Sequence, residues 1–142
     1  MNIIIHTDGG SLGNPGPSAI GVVLETEGKK KTYGMDIGLG TNNEAEYKAL
    51  IFALRKAKAL VGGKKAKNAE VICFSDSQLM VNQLNHKYQL KDKKIIKLFV
   101  KVWNLMLEFN SVKFIYVPRE ENQEADDLVK SVFKKNNENK LF

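Results

Sequence analysis

Two aspartates in this chain come shortly after apolar runs, where a buried strand would end. Asp8 follows the isoleucines at residues 3–5, and Asp76 follows the run at residues 71–74. Residues 9–17 are too rich in Gly and Pro for a helix or a strand and predict a sharp turn. A carboxylate beside such closely approaching backbone suits a metal ion, a phosphate or both. For Asp76, an N-cap role within Ser-Asp-Ser is an open alternative.

Glu46 is a carboxylate on the apolar side of a predicted helix. Helical residues advance by about 100° each, which places Glu46 on the same stripe as Leu50 and Ala53. Glu44 points nearly the opposite way and fits a cap. A charged group on a core-facing stripe is costly unless something pairs with it. Glu46 is therefore a candidate site residue, and a first-turn acid favoured by the helix dipole is the alternative.

The last predicted helix carries two adjacent aspartates that the same geometry separates. Its apolar stripe contains Ala125 and Leu128. Asp126 flanks this stripe, whereas Asp127 lies nearly opposite to it. We therefore predict that the Asp126 side chain points toward a site and that the Asp127 side chain is solvated.

Four carboxylates are thus candidates for one site: Asp8, Glu46, Asp76 and Asp126. Carboxylates brought together repel one another, and each resists ionisation unless a cation compensates. Ligands that are all oxygen, with no His or Cys cluster nearby, favour Mg²⁺ or Mn²⁺ over Zn²⁺. Two such ions can activate a water molecule and stabilise the leaving oxygen of a phosphodiester.

The elements that must position these carboxylates indicate an α/β fold. Three strands follow one another, and helices then alternate with two more strands. This order predicts a mixed five-stranded sheet, three antiparallel meander strands plus two further strands, with helices on both faces. Ligands of such folds bind at the carboxyl ends of strands. The predicted strands are residues 2–8, 19–25, 31–37, 69–74 and 112–117, and the predicted helices are residues 41–61, 77–84, 92–109 and 121–135, with a basic loop at residues 64–68.

Composition sets wider limits on the class of protein. The 142 residues are 43% hydrophobic, which favours a globular chain, and we expect a single domain at residues 1–136 with a frayed tail at residues 137–142. A net charge of +6 favours polyanionic partners such as nucleic acid, although many lysine-rich domains are simply soluble. Cys73 is the only cysteine, which excludes a disulfide framework. Neither a leader nor a membrane-length apolar run is visible, so we expect a cytoplasmic protein that binds no membrane.

Four motifs, in order along nearly the whole chain, resemble those of a single enzyme family. They are Thr7-Asp8-Gly9-Gly10-Ser11-x-Gly13-Asn14-Pro15-Gly16-Pro17, Thr41-Asn42-Asn43-Glu44-Ala45-Glu46-Tyr47, Ser75-Asp76-Ser77-Gln78 and Asn122-Gln123-Glu124-Ala125-Asp126. The family is type 1 ribonuclease H, especially its compact archaeal and bacterial branch. The resemblance implies a ribonuclease H-like fold and an endonuclease that hydrolyses the RNA strand of RNA/DNA hybrids, leaving 5'-phosphate and 3'-hydroxyl ends. Its cofactor would be two Mg²⁺ ions, with Mn²⁺ as a substitute, and we expect a monomer.

The resemblance also implies a role for each carboxylate. Asp8 would bridge both metal ions, and Asp126 would help to hold the ion that activates water. Glu46 and Asp76 would hold the ion beside the leaving group. Glu46 would also sense a ribose 2'-hydroxyl, the group that distinguishes RNA from DNA.

Four polar residues match positions at which the family contacts its substrate. Asn14, Asn43 and Gln78 would reach the hybrid in its minor groove, and Thr41 would lie near a DNA phosphate. Without the resemblance each amide has a simpler interpretation: Asn14 is a turn former, Asn43 a helix-start residue and Gln78 a surface amide.

Two departures from the family pattern affect the prediction. The loop before the last helix has no His, and Arg119 is the candidate substitute, with a solvated loop arginine as the alternative. Residues 85–92 are too short for the basic, Trp-containing protrusion of some relatives. The lysines of the next helix form a basic stripe, which either contacts the nucleic-acid backbone or is simply the solvent-exposed face of that helix. Trp103 could stack on a nucleotide, but packing is the simpler expectation.

Two other functions stay open. A non-catalytic hybrid-binding module could share the fold, although pure binding does not require repelling carboxylates to be buried. A related nuclease could act on double-stranded RNA or on branched DNA.

Overall fold

The computed structural model describes residues 1–140, in which five strands form one mixed sheet connected by five α-helices and a 3₁₀ turn. The strands are β1 (Asn2–Ser11), β2 (Gly16–Thr26), β3 (Lys29–Gly40), β4 (Glu70–Ser75) and β5 (Ser111–Tyr116). The helices are α1 (Asn42–Val61), α2 (Gly63–Ala66), α3 (Gln78–Leu84), α4 (Lys93–Met106) and α5 (Gln123–Lys140), with the 3₁₀ turn at Arg119–Glu121. The predicted α/β fold is confirmed.

The topology of the sheet brings two of the candidate aspartates to one edge. The strand order is β3-β2-β1-β4-β5, which places β1 at the centre. β1, β2 and β3 form the predicted antiparallel meander, and β4 and β5 run parallel to β1. Because β1 and β4 are parallel, their carboxyl ends meet at the same edge. Thr7 lies beside Ser75 in this register, so Asp8 and Asp76, which follow them, lie at that edge together.

Helices cover both faces of the sheet. A side chain at Gly9 would meet α1, whereas one at Gly21, on the neighbouring strand, would meet α5. Gly21 pairs with the residue before Gly9 and therefore points to the opposite face. On the first face, α1 and α4 bury an aliphatic core with side chains such as Ile5, Leu50 and Leu98. The apolar stripes predicted from the sequence are thus the faces that pack on the sheet.

The strands at the start of the chain are longer than predicted. The ladder between β1 and β2 continues as far as Ser11 and Ser18, so the turn predicted for residues 9–17 is confined to residues 12–15. Residues 64–66 of the basic loop predicted for residues 64–68 belong to the short helix α2. Glycine-rich ends can still form ladder hydrogen bonds, which is why composition alone predicted β1 and β2 to be too short.

The last helix is also longer than predicted. α5 does not end at residue 135 but continues to Lys140, because residues 136–140 contain no Gly or Pro that would stop it. Residues 137–140 thus belong to α5, residues 141–142 lie outside the described residues, and the fraying of the tail stays a prediction. No helix within residues 1–140 combines the length and the apolar content needed to cross a bilayer.

The packing predicted for Trp103 is only partial. Its ring stacks against Phe99, with the ring centroids 5.9 Å apart, but the residue is 59% exposed. Trp103 lies about 80° around α4 from the buried Ile95, which places it at the border of the packed face.

Candidate active site

Three carboxylates that are far apart in the sequence meet at the edge of the sheet where the parallel pairing of β1 with β4 ends. One oxygen each of Asp8, Glu46 and Asp76 lies within 4.8 Å of the others. Asp8 and Glu46 are each only 8% exposed, and Asp76 is half-buried. The three side chains line an open cavity of about 480 Å³, which Asp126 also lines. The structure thus brings together all four carboxylates selected from the sequence, while their catalytic roles stay predictions.

A close contact between β1 and α1 places Glu46 beside Asp8. A Cβ atom on Gly9 would overlap the backbone of α1 immediately before Glu46, so only glycine lets the helix approach this near. The helix begins at the predicted capping box. The Thr41 hydroxyl accepts a hydrogen bond from the Glu44 N–H at 3.1 Å, and the Glu44 carboxylate accepts one from the Thr41 N–H at 3.2 Å. This start sets the rotation of α1 so that Glu46 faces the sheet.

A second close contact, between β2 and α5, brings Asp126 to the cavity. Gly21 is the β2 partner of Asp8, and a Cβ atom on Gly21 would overlap the carbonyl that precedes Asp126. Two cations pair with this buried carboxylate: Lys130 Nζ lies 2.9 Å from Asp126 Oδ2, and Arg119 Nη2 lies 3.3 Å from Asp126 Oδ1. Asp126 therefore differs from the clustered carboxylates, because its charge is already compensated.

The same difference appears in the acidity of the four groups. Burial, together with the charges of Asp76 and Asp126, raises the pKa of Asp8 to about 8. Burial and the charges of Asp8 and Asp76 raise the pKa of Glu46 well above its ordinary value. Burial also raises the pKa of Asp76, although the Arg119 guanidinium opposes the shift. Burial acts in the same direction on Asp126, but the two paired cations prevail and lower its pKa.

The three clustered carboxylates suit a divalent cation. All of the donors are oxygen, and Glu46 Oε1 is buried with no hydrogen-bond partner among the described residues. A buried carboxylate oxygen without a donor is costly. A cation held by Asp8, Glu46 and Asp76 would satisfy this oxygen and would favour the ionised carboxylates, whose pKa values burial and neighbouring charges raise. A hard ion such as Mg²⁺ or Mn²⁺ fits the donor set better than Zn²⁺.

The helical-phase predictions of burial are confirmed. Asp126 is 5% exposed at the cavity, whereas its neighbour Asp127 is exposed. On α1, Glu46 is buried at the cavity, whereas Glu44 forms the cap. In both helices the apolar stripe sets which of two nearby acids faces the site.

Three of the four residues predicted to contact substrate surround the N-terminus of α1. Thr41 is the N-cap residue, and its hydroxyl takes part in the cap. Asn14 Oδ1 accepts a hydrogen bond from the Asn42 N–H at 2.9 Å, which ties the loop after β1 to the helix. Asn43 is half-buried, and its Oδ1 has no hydrogen-bond partner within the part of the chain that is described. Their contact with a substrate stays a prediction.

The fourth of these residues, Gln78, and the candidate substitute for the loop histidine, Arg119, lie beside the aspartates. Gln78 is the first residue of α3, two positions after Asp76, and is exposed. Arg119 begins the 3₁₀ turn, lines the cavity and pairs with Asp126. Arg119 therefore contacts the site although its side chain is 70% exposed, and its role as the substitute for the loop histidine stays a prediction.

Two residues that the sequence analysis did not select also support the site. Lys130 pairs with Asp126, and the i, i+4 spacing of an acid and a lysine was a usable signal for it. Asn122 is 1% exposed, and its Nδ2 donates a hydrogen bond to the Thr7 carbonyl at 2.8 Å. The Asp126 N–H in turn donates to the Asn122 carbonyl at 3.1 Å. Asn122 therefore joins the backbone before Asp8 to the helix turn that carries Asp126.

Comparison with known proteins gives consistent matches over most of the chain. A family model described as reverse transcriptase-like matches residues 6–132. The chain is 32% identical to a ribonuclease H of Escherichia coli over 142 residues, which cover 89% of this chain and 86% of that protein. It is 35% identical to the bifunctional protein Rv2228c of Mycobacterium tuberculosis over 131 residues, which cover 90% of this chain but 34% of that protein. The chain thus spans about a third of the length of the first curated relatives it matches.

A solved structure agrees with these relatives. LC11-RNase H1, crystallised in complex with an RNA/DNA hybrid, matches with a TM-score of 0.83 and 40% identity, covering 91% of this chain and 94% of that one. The likeness in fold and the family match therefore agree with the resemblance carried by the four motifs. The chain belongs to the type 1 ribonuclease H family.

Proposed function

We propose that this domain is a metal-dependent endonuclease that hydrolyses the RNA strand of RNA/DNA hybrids and leaves 5'-phosphate and 3'-hydroxyl ends. The observation that carries the proposal is the cluster of Asp8, Glu46 and Asp76, whose carboxylates resist ionisation without a cation. A module that only binds hybrids would gain nothing from this repulsion. Membership of the ribonuclease H family supports the substrate class.

The four carboxylates would bind metal in different combinations. In this proposal Asp8 would be a ligand of each of two Mg²⁺ ions, for which Mn²⁺ could substitute. Glu46 and Asp76 would share one ion with it, and Asp126 would share the other. Such ions, when bound, lower the pKa of a water molecule and stabilise the charge on a leaving oxygen.

The two cations that pair with Asp126 have different tasks in this proposal. Lys130 keeps the Asp126 carboxylate ionised and oriented toward the cavity. The Arg119 side chain is 70% exposed, so its guanidinium is also open to a phosphate that enters the cavity. Because the charge of Asp126 raises the pKa of Arg119, this residue stays protonated and cannot shuttle protons. We therefore assign Arg119 to binding the phosphate in place of the absent loop histidine.

Recognition of the substrate is assigned to the residues around the start of α1 and α3. The amides of Asn14, Asn43 and Gln78 can both donate and accept, so they can contact sugars and base edges in a minor groove without reading a base sequence. Thr41 would lie near a DNA phosphate, which the N-terminus of a helix favours. Glu46 would sense the ribose 2'-hydroxyl, so cleavage depends on the sugar.

A single copy of the chain supplies all four carboxylates, and we therefore propose that it acts as a monomer. The one cysteine, Cys73, is buried and free, so the fold needs no oxidising compartment, and we propose a cytoplasmic location.

Cleavage of matched substrates tests the proposed activity. An RNA/DNA hybrid, a double-stranded RNA, a double-stranded DNA and a four-way junction of related sequence are each incubated with the protein and Mg²⁺, and the product ends are identified by ligation. We expect cleavage of the RNA strand of the hybrid and none after chelation of the metal. Comparable cleavage of duplex RNA or of the junction would favour a related nuclease. Metal-independent binding of the hybrid without cleavage would favour a binding module.

Asp126→Asn should lower the rate of hybrid cleavage by at least about 30-fold, whereas Asp127→Asn should leave it within about twofold of wild type. The first change removes a buried charge at the cavity, and the second changes an exposed residue one position away. Single-turnover cleavage rates of the two variants form a matched comparison. An equal loss of rate in both would contradict the orientation of α5 that places Asp126 in the site.

A further inference from the structure

One side of α4 carries a stripe of exposed apolar residues that the cleavage site does not use. Ile96, Val100, Trp103 and Leu107 are 38%, 47%, 59% and 73% exposed. Their spacing of i, i+4, i+7 and i+11 aligns them along the helix, from its first turn to the residue after its end. Isolated exposed apolar residues need no explanation, but a continuous stripe of this kind is typical of a surface that binds a partner. We call these four residues the α4 stripe.

The α4 stripe leads away from the cleavage site. The first residues of α4 share a cavity with Thr41 and Asn43 at the start of α1. At the other end, Lys58 near the end of α1 pairs with Glu108, with 3.0 Å between Nζ and Oε2. α4 therefore runs alongside α1 in the same direction, and its last stripe residue lies about 16 Å beyond the first. A hybrid held at the carboxylates would leave the far half of the stripe uncovered.

A cavity beside the α4 stripe could accept a large side chain. It measures about 640 Å³ and lies between α4 and the segment after α3, with Leu84, Tyr88, Leu90, Phe99 and Trp103 among its lining residues. Trp103 belongs to both the cavity and the stripe, and Tyr88 at the rim is 48% exposed. An apolar ridge next to an apolar hollow is the surface that an amphipathic helix fits.

The charges on α4 indicate what kind of partner would fit. Between residues 93 and 106 the helix has four lysines and no acidic residue, and none of these lysines forms an ion pair within the described residues. Lys93 and Lys97 lie within about 60° of Val100 around the helix axis, and Lys87 lines the neighbouring cavity. Lysines thus border the apolar stripe, and a partner needs carboxylates beside its own apolar residues.

Other occupants fit these observations less well. A second copy of the chain would bring the same lysines face to face, and its net charge of +6 would oppose association. A single-stranded nucleic acid would match the lysines, but three of the four stripe residues are aliphatic and offer no ring on which bases could stack.

We propose that the α4 stripe docks an acidic amphipathic helix of another protein, with one large apolar side chain of that helix seated in the cavity beside Trp103. No residue of α4 lines the cavity that holds the four carboxylates, so this contact leaves the cleavage site itself free. The surface would recruit the nuclease domain to the partner protein without taking part in cleavage.

A synthetic peptide tests this proposal with a built-in reporter, because Trp103 is the only tryptophan of the chain. The probe is a tryptophan-free peptide of about 16 residues, with leucines at i, i+4, i+7 and i+11 and glutamates on both flanks. We expect saturable binding in the micromolar range, with a blue shift of the Trp103 emission. A peptide with the same leucines but with lysines in place of the glutamates should bind at least about tenfold more weakly.

Variants locate the binding surface. Val100→Ser combined with Leu107→Ser should weaken binding of the acidic peptide at least about tenfold and leave hybrid cleavage unchanged. Leu39→Ser is the matched control, because Leu39 on β3 is 77% exposed, close to the 73% of Leu107, and it should bind like wild type. Equal binding by all variants, or no saturable change in emission, would overturn the proposal. Tighter binding of a single-stranded DNA than of the acidic peptide, through the same residues, would also overturn the proposal. The same holds for a concentration-dependent dimer, seen in sedimentation, that the double variant abolishes.

Discussion

Asp8→Asn is expected to slow cleavage of an RNA/DNA hybrid by at least about a thousandfold, about 4 kcal/mol in activation free energy, while the protein stays folded. Asp8 interacts with each of the other three acids: besides burial, its charge contributes to the raised pKa of Glu46, and the charges of Asp76 and Asp126 contribute to its own raised pKa. Asparagine has nearly the same shape but lacks the charge that two divalent ions require. Single-turnover cleavage in Mg²⁺ measures the loss, and Asp76→Asn should behave in the same way.

The controls for Asp8→Asn separate chemistry from folding and from binding. Circular dichroism should show an unchanged fold, and hybrid binding in the presence of a chelator should stay within about threefold of wild type. Glu44→Gln, a change of a nearby acid that caps α1 rather than facing the cavity, should be nearly silent in cleavage. Wild-type cleavage by Asp8→Asn would refute the assignment of the site.

The second large effect concerns stability without metal. In chelator, the unfolding temperature should fall by about 3–9 °C as the pH rises from about 4 to about 8, which corresponds to about 1–3 kcal/mol for a domain of this size. The pKa of Asp8 is about 8 in the folded protein and about 3.9 in an unfolded chain. A carboxyl group whose pKa is raised by folding contributes to the stability of the folded state. This contribution is complete at pH values below the pKa of the group in the unfolded chain. This contribution is lost as the pH rises through the folded pKa.

Calorimetric scans with and without metal check this expectation. Saturating Mg²⁺ should restore the unfolding temperature at pH 8, because the ions bind the ionised cluster only in the folded state. Asp8→Asn in chelator should flatten the pH dependence, whereas Asp127→Asn should keep it. A wild-type protein whose stability in chelator does not change over this pH range would contradict the electrostatic account of the cluster.

Much of the site could be predicted because local geometry is readable from the chain. The 100° advance of a helix separates Glu46 from Glu44 and Asp126 from Asp127 without any knowledge of what the helices pack against. The apolar run of β1 likewise indicates the sheet edge at which Asp8 is presented, although β1 continues past Asp8 to Ser11. The element boundaries were less accurate, as the longer β1 and α5 show, because glycine-rich ends and polar helix turns carry weak local signals.

The chain alone therefore specified which carboxylates face inward, since that depends on the repeat of each helix and strand. How closely they meet depends on packing between distant segments: Gly9 lets α1 approach β1, and Gly21 lets α5 approach β2. Packing also brings Arg119 to Asp126 and leaves Trp103 at the surface, whereas Lys130 could be read from its i, i+4 spacing to Asp126. The contacts of Gly9 with α1 and of Gly21 with α5 join residues that no local pattern relates, because they form only when each helix packs on its own face of the sheet.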